Sequence, residues 1–317
     1  DVYLLIVTAS IPFIALYNGG AAIFRAMGNS EVSMKVSLLM NAINVSGNAI
    51  LIYGLHCGTE GVAIPTLVSR FVAAFIIIKL LLKDKWTLHL ERTFRFNPDW
   101  SMIRKILSVG IPNGLENSMF QLGKVLVLSL VSTFGTYAIA ANAVSNVITL
   151  FSILPGQAIC LAVTTVIARC VGAGDYEQAK YYNKKLILLT HIGMAITISI
   201  VFITLPFILK VYNLSEAASE ATRHIIWFHG CCAVLIWAES FTLPATFRAC
   251  GDAKACMIIS TVSMWIFRVG ASYILGRNLG LGVFGVWVAM IIDWAFRSLL
   301  FGIRYFSGKW KKHALVS

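Results

Sequence analysis

The chain alternates long apolar runs with short polar breaks. Nine runs stand out, at 2–24, 32–55, 61–82, 106–132, 138–168, 186–211, 225–247, 257–275 and 283–306. Each is close to or above the ~20 residues that one helix needs to cross a bilayer. The pattern predicts nine membrane-spanning helices and an all-α polytopic membrane protein.

Composition points the same way. Of the 317 residues, 58% are hydrophobic and 13% charged, with a mean hydropathy of +0.79. A soluble domain is nearer 45–50% apolar and about 25% charged. A soluble enzyme, a secreted disulfide scaffold and a disordered chain are excluded.

The formal charge of +12 would suggest nucleic acid in a soluble protein. Here the Lys and Arg residues fall mainly in alternate breaks: seven from Lys79 to Lys105, four from Arg169 to Lys185 and five from Arg297 to Lys312. This is the positive-inside pattern. It predicts a multi-pass protein of the cell (plasma or inner) membrane, with a cytoplasmic C-terminus and no nucleic-acid partner. The seven scattered cysteines suggest neither disulfide nor metal. Gly280-x-Gly282-x-x-Gly285 matches a dinucleotide fingerprint but follows no strand, so it carries no nucleotide reading. No catalytic constellation is present, and an enzyme is not expected.

The chain repeats itself. Ala22–Ser30 aligns with Ala245–Ala253 at an offset of 223, matching Ala, Phe, Arg, Ala and Gly. Further on, Gly61-Val62 meets Gly285-Val286. The first three spans therefore lie over the last three, and the repeating unit is six spans. An even unit gives two parallel lobes. The expected organisation is the last three helices of a first lobe (1–82), a cytoplasmic linker (83–105) and a complete six-helix second lobe with its tail (106–317). The expected whole has twelve spans, of which this chain carries helices four to twelve. Arg25 with Gly28, and Arg248 with Gly251, read as structural corners, the arginines reaching to phosphates or helix-end carbonyls. Trp86, Trp100, Trp227 and Trp310 read as interfacial anchors.

Ionisable groups inside a membrane are costly, and each calls for a partner or a function. Glu116, Glu239, Arg268 and Asp293 fall roughly 12–20 Å from one face, on four helices. Convergence at one depth predicts a single polar cluster with surplus negative charge, suited to a cation or a proton. Glu116 follows Pro112, which can bend its helix, and shares a face with Phe120 and Lys124. A carboxyl buried at that depth favours its neutral form and can exchange a proton. The structural alternative is a salt bridge from Glu116 to Arg268 or Lys124. Glu239 and Asp293 are further coupling candidates, Asp293 having Arg297 four residues on. Gln121, Lys124, Asn142 and Arg268 are candidates for lining a cavity or balancing charge.

Four stretches carry a family resemblance: Phe24–Ser30, Gly110–Gly114, Val171–Asp175 and Phe247–Asp252. With Ile292-Asp293-Trp294, they make the chain resemble the multidrug and toxic compound extrusion (MATE) transporters of prokaryotes. The resemblance implies two six-helix lobes around a cavity and rocking-type alternating access. It implies export of small organic cations or drugs in exchange for Na⁺ or H⁺, by a monomer in the lipid bilayer and without a cofactor. It also implies an acid in the seventh helix, near Phe120 here, and another in the tenth, near Trp237 here. Glu116 and Glu239 lie on those two helices at other positions. The alternative is a lipid-linked saccharide flippase of the same wider superfamily, whose members tend to line the cavity with Arg and Lys.

Overall fold

The computed structural model describes residues 2–90 and 98–313. Those residues form nine long helices and no strand. We label them α1 (Val2–Ala26), α2 (Ser30–Gly54), α3 (Glu60–Leu81), α4 (Trp100–Ser132), α5 (Thr136–Gly172), α6 (Tyr176–Tyr212), α7 (Glu216–Ala249), α8 (Ala253–Asn278) and α9 (Gly282–Phe306). All but α4 are long and apolar enough to cross a membrane. Helix α4 has 33 residues but falls short in apolarity, because it carries Arg104, Lys105, Glu116, Lys124 and several amides. Many large apolar side chains face outward, such as Ile203 and Phe207 on α6. That is the surface a bilayer requires and water does not favour.

The chain divides into two compact units, Asp1–Asn97 and Pro98–Ser317. The division falls inside the expected linker, of which 91–97 lie outside the described residues. Helix α4 starts six residues before its apolar run, because the Asp99 side chain accepts hydrogen bonds from the Ser101 and Met102 backbone amides.

In the first unit, Tyr17, Phe24, Ile77 and Leu81 pack between α1 and α3, with Val36 from α2. Arg70, inside α3, donates to the Ser10 hydroxyl at 2.6 Å, where α1 is interrupted ahead of Pro12. In the second unit, α5 and α6 run 37 residues each, and Trp237, Trp287 and Trp294 dominate one core. Trp310 is not an interfacial anchor. It is buried and stacks on Tyr305 at 5.6 Å, because its indole N–H can reach the Tyr305 carbonyl.

The repeated corners have one geometry. The Asn29 amide bonds the Phe24 carbonyl and the Gly28 amide that of Arg25. The Asp252 amide bonds the Phe247 carbonyl and the Gly251 amide that of Arg248. Both are Schellman closures, which place the residue after the helix end in the left-handed region. Gly28 has φ 83° and Gly251 φ 86°. Glycine takes that conformation without the Cβ penalty other residues meet. Gly251→Ala should lower stability by about 1–2 kcal/mol, and Gly251→Asn by less, read as unfolding midpoints in detergent. An alanine variant as stable as the parent would show that the left-handed corner is not strained by a Cβ.

Candidate functional site

The second unit gathers its charged groups into three places. The first joins α4, α7, α8 and α9. Glu116 is buried one turn past Pro112, which itself lies within α4. The Arg248 guanidinium donates to Glu116 Oε1 at 3.0 Å, and Arg297 lies 3.8 Å from the same oxygen. Arg297 also lies 4.0 Å from Asp293, donates to Ser260 Oγ at 2.7 Å and sits over the Phe241 ring. Asp293 is fully buried and accepts from the Ser263 hydroxyl at 2.5 Å. Two carboxylates and two guanidiniums thus balance in a buried network.

The second place pairs α6 with α7. His191 Nε2 lies 3.0 Å from Glu239 Oε1, and His191 Nδ1 lies 2.6 Å from the Val234 carbonyl. That carbonyl can only accept, so Nδ1 carries a proton. Glu239 lies in a π-helical segment, Ala238–Thr242, just ahead of Pro244. There the Leu243 amide reaches back five residues to the Ala238 carbonyl. Proline offers no amide N–H, which leaves the preceding turn free to widen. The other oxygen of Glu239 is buried and has no hydrogen-bond partner among the described residues.

The third place is a cavity of about 200 Å³ lined by Lys124, Asn142, Asn146, Arg268 and Trp287, with Met290 and other apolar side chains. Lys124 Nζ and the Arg268 guanidinium both sit by the Phe120 ring, at 5.0 and 5.3 Å from its centroid. Arg268 also lies on a π-helical segment, Met264–Gly270. Gln121 is exposed on α4 and does not line this cavity.

Several expectations change. Glu116, Asp293, Glu239 and Arg268 do not form one cluster. Glu116 is bridged by Arg248 and Arg297, not by Arg268 or Lys124. Arg248 is therefore more than a corner residue: it turns inward to a carboxylate, a stronger partner than helix-end carbonyls. Arg25, its counterpart, is half-buried and forms no ion pair among the described residues. The negative surplus disappears as well. With Arg248 and Arg297 included, three carboxylates face four cations. On charge, the buried groups of the second unit no longer favour a cation. The resemblance implies an acid near Phe120, where instead a ring holds two cations. Near Trp237 it implies another, and there Trp237 stacks on Phe241 at 5.0 Å. His191 has no metal-ligand spacing in the sequence, and its pairing with Glu239 comes from the fold; an imidazole halfway along an apolar helix is the signal that marks it.

The MatE family model matches residues 112–274, about half of the chain. A Thermotoga maritima protein described as a probable multidrug resistance protein NorM is 27% identical over 303 residues, covering 94% of this chain and 64% of the relative. The chain spans 64–69% of the length of that and two further curated relatives. An outward-facing multidrug resistance MATE family transporter of the MOP superfamily shares the fold with a TM-score of 0.88 at 21% identity, over 98% of this chain and 70% of that one. A MOP superfamily transporter from Pyrococcus furiosus, described as having a binding pocket of reverse polarity, shares it with a TM-score of 0.87 at 22% identity, over 96% and 69%.

Proposed function

Given that this chain belongs to the MatE family, we propose that it works in a secondary active efflux transporter, which exports amphipathic organic compounds by alternating access in exchange for protons. The C-terminus and the basic breaks face the cytoplasm of a cell whose plasma membrane holds the protein. The charge count no longer argues for a cationic substrate, and the substrate is taken as amphipathic.

One observation carries the proton reading, the His191–Glu239 pair. Glu116 and Asp293 have arginine counter-charges, so protonating either breaks a bridge. Glu239 faces an imidazole, which can take or release a proton while the contact persists. Its π-helical setting is of the kind that recurs at functional sites. Glu239 rather than Glu116 is therefore the coupling acid, and H⁺ rather than Na⁺ the coupling ion.

The test is efflux of a panel of fluorescent amphipathic dyes from cells expressing the protein. Glu239→Gln should lower the rate per molecule sharply, because the amide cannot exchange a proton with His191. Glu239→Asp should keep part of it. Glu116→Gln should lower abundance rather than rate per molecule. An unchanged rate in Glu239→Gln would remove that residue from the mechanism.

A further inference from the structure

We propose that the cavity between α4, α5, α8 and α9 binds an anionic group, a phosphate or phosphate ester, carried on an apolar body. This deepens the efflux reading by naming the chemistry of its substrate, and as a statement about substrate it rests on that reading; the binding site itself rests on the cavity.

Three observations carry it. The first is charge. Lys124 and Arg268 both line the cavity, and among the described residues neither lies within 4 Å of a carboxylate. Asp293, three residues past Met290 on α9, is taken by Ser263 and Arg297. Two cations drawn to one aromatic ring repel each other, and an anion placed between them relieves that repulsion.

The second is donor supply. The Trp287 indole N–H donates to an Asn142 side-chain oxygen at 3.1 Å. Indole can only donate, so that atom is Oδ1 and the Asn142 amide N–H groups are left as donors. An ammonium, a guanidinium and an amide therefore share one cavity. A cation would find few acceptors there, and a phosphate oxygen would find donors of the right kind.

The third is the rest of the wall. Val286, Met290 and the buried body of Trp287 are apolar. A cavity with a few converging polar groups on apolar walls is the usual form of a small-molecule site. The ligand is thus an amphiphile with an anionic head. A phospholipid headgroup and a soluble aromatic phosphate share that chemistry.

The experiment is calorimetric titration of the full chain in a nonionic detergent. The probes are 1-naphthyl phosphate, phosphatidic acid in mixed micelles, and 1-naphthylmethylammonium. At least one phosphate probe should bind. Arg268→Gln and Lys124→Gln should each weaken it about tenfold or more. Arg268→Lys, the control for folding, should keep most of the affinity, and Lys124→Glu should abolish it. Binding of 1-naphthyl phosphate supports the site as one for soluble phosphates, and binding of phosphatidic acid alone supports it as a headgroup site. No binding by either, equal binding by the parent and Arg268→Gln, or tighter binding of the ammonium probe would overturn the inference. Binding without transport would leave the site standing and remove the efflux reading.

Discussion

Arg297→Met should destabilise the protein by about 3–5 kcal/mol, the cost of leaving a buried charge without its partner. Arg297 is 3% exposed and is the nearest cation to fully buried Asp293. It is also the second cation beside Glu116. Methionine fills a similar volume but supplies neither charge nor donor. Glu116 would keep Arg248, while Asp293 would keep one hydroxyl. The double variant Arg297→Met with Asp293→Asn removes both charges and leaves an acceptor for Ser263. It should recover most of the loss. Unfolding in detergent, followed by helical content against temperature, measures both. A double variant no more stable than the single one would show that Arg297 acts through packing rather than charge.

Gly156→Val should lower stability by about 3 kcal/mol, the upper end of the usual cost of overpacking. A Cβ at Gly156 would run into the Trp237 ring, so α5 and α7 could not keep their spacing. The ring has no room to retreat. It is 3% exposed and stacked on Phe241, which lies edge-on to Trp294. Trp237→Leu opens space opposite Gly156. Combined with Gly156→Val, it should cost less than the sum of the two single changes. Strict additivity in unfolding midpoints would mean that the contact does not limit the approach of these helices.

The helices were legible because membrane physics writes them as length and apolarity. The corners were legible because a left-handed position selects glycine, so the 223-residue repeat reappears as one hydrogen-bond pattern at Gly28 and Gly251. Partner choice was not legible. Depth alone placed Glu116, Glu239, Arg268 and Asp293 together, but depth does not fix the angle around a helix. Glu239 and Arg268 both lie in π-helical segments, and one inserted residue turns a helix by about 100°. A reading at constant 3.6-residue period could not follow that turn. Arg248 misled for another reason. A basic residue near a helix end has helix-end carbonyls as ready partners, and nothing local in the sequence points to a carboxylate 132 positions earlier. Helix α4 compounded the error: its start at Trp100 sets Glu116 further from the helix end than the apolar run suggested.

That separation also sets a timetable. The glycine corners close through bonds spanning at most five residues. Contacts so local need little loop closure and can form as soon as their own segment exists. The Glu116 bridge cannot. Arg248 is the 132nd residue that the ribosome adds after Glu116, and Arg297 comes 49 positions later. Through the synthesis of α5, α6 and most of α7, the carboxylate has neither of its final counter-ions. The turns of the second unit are early events, and neutralisation of its interior is among the last.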